Sequence, residues 1–229
     1  MRDLLCGVAV LLACVQTACG QTACGQADAS AVKIHLQAPP EWRGEEIRLP
    51  PGFAPDMSWK GIEEVRFAPG MFDAKADDFF SYVFVFYLPE AKEPDFKELQ
   101  KELLKYYRGL ATAVARGKGG VDAKSFRLTL KPAGKSNPNP ESAGDSPTPA
   151  SKQESSLAGR SRGVMHWTEP FATMKPQTLH LEIQSGRCTG RAARFLAVAV
   201  SPKRPEQAKP LWSSMRRILK TVEFRSPAD

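Results

Sequence analysis

Residues Tyr82 to Leu88 read YVFVFYL, and a few positions on, Pro94 to Val114 read PDFKELQKELLKYYRGLATAV. Successive side chains of a strand point to opposite faces, so Tyr82, Phe84, Phe86 and Leu88 share one side and Val83, Val85 and Tyr87 the other. Both sides are apolar, which predicts a strand near the centre of a sheet and covered on both faces. In the following stretch Pro94 and Asp95 supply a helix start. Phe96, Leu99, Leu103, Tyr106, Leu110 and Val114 then recur at spacings of three and four until Gly117, which predicts one apolar stripe along a helix. Lys97, Glu98, Lys101, Glu102 and Lys105 fall on its other side and are expected to face water.

The same order returns near the C-terminus. RFLAVAVS (194–201) is a nearly continuous apolar strand, and Pro210 opens a second helix with Leu211, Met215, Ile218, Leu219 and Val222 as its stripe. Around these two units lie shorter strand patterns at 32–36, 45–49, 61–72, 125–132, 164–171 and 177–184, with Val222-Glu223-Phe224 as a closing strand. Strand runs interleaved with only two helices predict an α+β fold: a mainly antiparallel sheet with two amphipathic helices packed on it. This order of elements resembles the Mog1/PsbP-like architecture seen in some small bacterial lipoproteins. No motif accompanies the resemblance, so no functional residue follows from it.

Residues 136–161, SNPNPESAGDSPTPASKQESSLAGRS, contain no aromatic residue and one leucine. Such a composition buries too little apolar surface to offset chain entropy, which predicts a disordered insertion. The second half alone is small for independent stability, so residues 30–229 are expected to form a single α+β domain interrupted at 136–161.

The N-terminus predicts export. Leu4 to Ala13 is an apolar run after Met1-Arg2-Asp3, too short to span a bilayer. Leu11-Leu12-Ala13-Cys14 resembles a bacterial lipoprotein signal, which implies that Cys14 is lipidated and that the membrane is a partner through this anchor. Cys19 and Cys24 fit that pattern less well, because Gln16 and Gln21 stand where it has an aliphatic residue. Residues up to 29 then serve as signal and flexible tether, and the folded part faces periplasm or exterior. Cleavage after Ala27-Asp28-Ala29 is the alternative and yields a secreted, soluble protein.

The net charge of +7 is uneven: from Leu157 to Asp229 thirteen Lys/Arg stand against five Asp/Glu, which is +8 and leaves −1 for the remainder. These charges are spread over strands, turns and a helix, and no aromatic-interleaved basic motif accompanies them, so the expectation is a solvated surface and no nucleic-acid partner.

Catalytic and cofactor motifs are not found. Gly117-Lys118-Gly119-Gly120 follows a helix and lacks phosphate-loop spacing, so it reads as a helix stop. His35, His166 and His180 read as exposed strand residues, and with no C-x-x-C spacing no metal site is expected. Glu63-Glu64 and Asp77-Asp78 read as surface charges, since neighbours in a strand diverge.

One repeat stands out. Phe53-Ala54-Pro55-Asp56-Met57 and Phe67-Ala68-Pro69-Gly70-Met71 share F-A-P-x-M, and Phe171-Ala172-Thr173-Met174 is a partial third copy. Phe53, Met57, Trp59, Phe67, Met71, Trp167 and Phe171 are therefore the candidate rim for an apolar ligand or an envelope protein partner, with Trp42 nearby. Core-closing turns are the alternative for these loops. Taken together, the sequence reads as an exported envelope protein whose domain binds or scaffolds. The alternatives are an envelope enzyme with a site assembled from distant residues, or a carrier of an apolar ligand.

Overall fold

The computed structural model describes residues 32–89, 94–116, 119–133, 159–189 and 191–225. In chain order its elements are β1 (Lys33–His35), β2 (Arg43–Leu49), β3 (Gly61–Phe67), β4 (Tyr82–Pro89), α1 (Phe96–Val114), β5 (Arg127–Pro132), β6 (Arg160–Thr168), β7 (Pro176–Arg187), β8 (Ala193–Ser201), α2 (Lys209–Lys220) and β9 (Glu223–Arg225). Seven strands make one sheet in the order β2-β3-β4-β8-β7-β6-β5, and β1 pairs with β9 in a separate ribbon. Every pairing is antiparallel, as the sequence predicts.

The two-sided apolar strand lies in the middle of the sheet, with Phe84 opposite Val198 on β8. Its Tyr82, Phe84, Phe86 and Leu88 enter one core, beneath α1, together with Leu103, Tyr106 and Tyr107. Its Val83, Val85 and Tyr87 enter a second core on the other face, with Trp212, Met215 and Ile218 of α2 and with Val32, Ile34 and Leu36 around β1. The sheet is thus a wall between two apolar layers. The sheet also joins both sides of residues 134–158, because β5 pairs with β6 and β4 with β8.

Several side chains depart from the sequence reading, each for a packing reason. The buried stripe of α1 is Leu99, Glu102, Leu103, Tyr106, Tyr107 and Ala111, rotated from the expected one, so Phe96 is 44% exposed. Glu102 is buried instead of solvated because it is a ligand for neighbouring donors: Ser58 gives it both its backbone N–H and its hydroxyl, each at 2.7 Å, and Lys105 its ammonium at 2.7 Å. Burial raises the Glu102 carboxyl, but these donors outweigh it and hold the group below the usual carboxylate range. Gly109 is needed where the first F-A-P-x-M loop crosses α1, since a Cβ there would collide with the Phe53 carbonyl. Arg160 and Ser161, assigned to the insertion by composition, begin β6 instead, paired with Gln184 and Ile183 of the long β7. The rest of that segment, 136–158, lies outside the described residues, as do Cys14 and the whole of 1–31.

Candidate functional site

The carboxylate pair on β3 corrects the reading of surface charge. Glu63 is wholly buried and Glu64 nearly so. They do diverge, as strand geometry requires. Glu63 points under α1, where the Tyr106 hydroxyl donates to its Oε1 at 2.9 Å and Oε2 has no hydrogen-bond partner. Burial pushes its carboxyl up to about 8, with Glu45 and Glu64 adding to the rise and the tyrosine bond opposing it. Glu64 points to the other face and pairs with Arg66. Beside Glu63, the hydroxyls of Tyr82 and Tyr107 share a hydrogen bond of 2.8 Å, and burial holds all three tyrosines above the ordinary phenol range. This polar cluster is sealed inside the α1 core. Asp77, in contrast, is exposed and pairs with Lys203 at 2.7 Å.

The seven candidate rim residues fall at two depths. Met57, Trp59, Met71 and Trp167 are buried in the α1 core, while Phe53, Phe67 and Phe171 are half-buried against it. Trp42 belongs to the opposite core. The first loop stands apart from the other two: Phe53 meets Tyr106 edge-on at 5.1 Å. The second and third loops converge through residues that the motif reading missed. Phe72, 46% exposed, lies 6.1 Å from Phe67 and 5.7 Å from Phe171. Behind it, the buried Phe80 contacts Phe171 at 5.6 Å and Trp167 at 5.0 Å.

Two carboxylates brace these loops. Asp78 accepts the Gly70 backbone N–H at 3.1 Å. The fully buried Glu169 accepts the backbone N–H groups of Phe171, Ala172 and Thr173 and the Thr173 hydroxyl, which folds the third loop around one side chain. Phe80 and Met174 have φ of 50° and 54°, a region that large side chains seldom occupy, so the loops are held in place by their surroundings.

The histidines are dispersed. His35 lies on the β1–β9 ribbon, opposite Glu223. His166 and His180 sit diagonally on neighbouring strands, the first bonded to Thr178 Oγ1 at 3.1 Å. Among the described residues no group of three or more His, Cys, Asp or Glu is placed to hold a metal ion.

A groove of about 590 Å³ opens where the ends of β7 and β8 meet α2 and β9. Phe195, Leu219, Val222 and Phe224, all half-buried, make its floor, with Cys188 and Ala197 beneath. Phe195 can lie flat there because Gly186 opposite has no side chain: a Cβ would meet its ring at 2.6 Å. Burial pushes the Cys188 thiol up to about 11 against the pull of Arg191, so the thiol stays protonated and acts as apolar floor. Arg160, Arg187, Arg191 and Lys220 line the mouth. From Arg160 the positive charge continues over the outer face of β5 and β6, where Arg127, Lys131 and Arg162 are exposed. The sequence carried the excess of cations but not their convergence, which depends on strand register.

No family model and no curated protein matches the chain. Among solved structures it is similar to the Ran-binding protein Mog1p of Saccharomyces cerevisiae, at 11% identity and TM-score 0.33, over 80% of this chain and 95% of that one. It is also similar to LpqN, involved in cell envelope biogenesis of Mycobacterium tuberculosis, at 10% identity and TM-score 0.29, over 86% and 84%. Likenesses of that extent carry no argument about activity or partners. No described helix is long and apolar enough to cross a membrane.

Proposed function

We propose that this chain is an exported envelope protein, anchored to a membrane by a lipid on Cys14, whose α+β domain binds a protein partner and does not catalyse. The binding surface is the aromatic run Phe67, Phe72 and Phe171. Its support is the position of Phe72: an exposed ring packed between two others and founded on the buried Phe80 and Trp167. Aromatic anchors that are rigid before contact supply interface area at little entropic cost. The groups with the most displaced acidities, Glu63 and the three tyrosines around it, are closed inside the core, where no substrate reaches them.

The test places a photo-crosslinking residue at 72 in the native envelope, with position 112 on the exposed side of α1 as control. The expected result is one discrete adduct from 72, absent when Phe171→Asp is added, and none from 112. Equal adducts from both positions, or none from 72, overturn the aromatic surface. Fractionation tests the anchor separately: Cys14→Ser is expected to move the chain from membrane to soluble fractions, and unchanged membrane retention overturns lipidation.

A further inference from the structure

We propose that the groove between β7, β8, α2 and β9 binds one molecule of an acidic phospholipid, its phosphate at the cationic mouth and an acyl chain along the apolar floor. This is a second site, remote from the aromatic surface. Two properties of the groove select the ligand. The floor of Phe195, Leu219, Val222 and Phe224 leaves apolar surface partly open in a concavity of about 590 Å³, the size of small-molecule sites. The mouth brings four cations together, and the single carboxylate among the lining residues, Glu223, is already held by Arg225 at 2.7 and 3.0 Å. An apolar ligand without charge gives Arg160, Arg187 and Lys220 no counter-charge, and a free anion leaves the floor wet. An amphiphile with a phosphate satisfies both.

The position of the groove agrees. β9 forms one wall and pairs with β1, so the chain enters the fold from its N-terminal side beside the groove. Seventeen residues, 15–31, separate Cys14 from Val32, so a lipid on Cys14 would keep the groove within roughly 60 Å of a bilayer. Recognition itself does not depend on that anchor, and the test is made without it.

The full chain carrying Cys14→Ser is titrated with phosphatidylcholine vesicles, with vesicles containing phosphatidylglycerol, and with dihexanoyl-phosphatidylglycerol below its micellar concentration. The ratio between vesicle types cancels any contribution of the apolar N-terminal run. Tighter binding to the acidic vesicles is expected, with the preference falling about fivefold for each cation removed in Arg160→Gln, Arg187→Gln and Lys220→Gln, all exposed positions that leave the cores intact. Saturable binding of the short-chain lipid is expected, with a loss of about tenfold or more in Leu219→Glu. If Leu219→Glu lowers the melting midpoint, Val222→Asn on the same floor takes its place. Vesicle binding without short-chain binding, or short-chain binding unchanged by the floor variants, overturns the groove in favour of plain charge attraction. Acidic and neutral vesicles bound equally overturn the recognition of phosphate.

Discussion

Glu63 has one carboxylate oxygen bonded to Tyr106 and the other bonded to nothing, with no exposed surface. Its acidity makes stability depend on pH. Below its ordinary value of 4.5 both folded and unfolded chains hold the proton. Between that value and about 8 the unfolded chain releases it while the folded chain keeps it, so stability falls as pH rises, by about 1.4 kcal/mol per pH unit. Glu63→Gln removes that slope but leaves a buried amide N–H₂ with no acceptor. The variant is expected to be less stable than the parent at pH 5 by about 1–2 kcal/mol and more stable at pH 8 by roughly 2–3 kcal/mol. Urea midpoints at the two pH values check this, and parallel curves would show that Glu63 titrates normally. Glu169 is buried as well, but both of its side-chain oxygens accept hydrogen bonds. Glu169→Gln turns one acceptor into a donor facing the Thr173 N–H and should cost about 2 kcal/mol. The same change should weaken any contact made through Phe171, read as loss of the adduct from position 72. Neither environment was legible in the sequence: an acidic residue in a strand or turn carries no mark of what folds over it.

At the scale of elements, the inner strands of the sheet carry the α1 core. Phe84 and Leu181 are buried in the α1 core on strands from opposite sides of residues 134–158. Phe84→Ala should cost about 3–5 kcal/mol and Leu181→Ala about 2–5, whereas Lys131→Ala on the open face of β5 should stay within about 0.5. Chemical denaturation of the three variants gives the comparison, and similar losses in all three would contradict the assigned faces. Among the described residues, the period-two and period-three-to-four patterns locate every strand and both α-helices, because burial on one or two faces writes itself into residue spacing. They failed on rotation. On α1 the spacing puts Phe96, Leu110 and Val114 in one stripe with Leu99, Leu103 and Tyr106, while the fold buries Glu102, Tyr107 and Ala111 with those last three instead. An acidic side chain capped by Ser58 and Lys105 takes an apolar position only when a loop arrives to meet it. Trp212, the largest side chain sealed by α2, stands outside the expected stripe for a related reason: its indole N–H finds the Lys203 carbonyl at 2.9 Å, a partner nine residues away.

Across the whole molecule, one sheet takes strands from both sides of residues 134–158 and separates two cores. We expect it to melt as one cooperative unit. Phe84→Ala and Leu181→Ala should each shift a single transition seen identically by probes in either half, and two separated transitions would divide the chain into two domains. Replacing 136–158 by a short flexible linker should change stability by less than about 1 kcal/mol, since closure entropy varies slowly with length, and unfolding on deletion would show that the segment packs.

What the sequence determined by itself was whatever depends on local order: the α+β class from the hydrophobic periods, the starts of both helices from proline, the expectation of export from the first residues, and the +8 of the C-terminal part. What only the tertiary structure decided was which distant residues meet. The register of β5, β6 and β7 sets Arg160 and Arg162 on one open face with Arg127 and Lys131, and the packing of α2 brings Lys220 to Arg160 and Arg187 at the groove mouth. The turn after β3 swings Phe72 against Phe171, about a hundred residues away along the chain. Spacing along a chain records which side of an element is buried. It holds no record of what stands opposite, because that is set by pairing and packing between segments whose sequences are independent of one another.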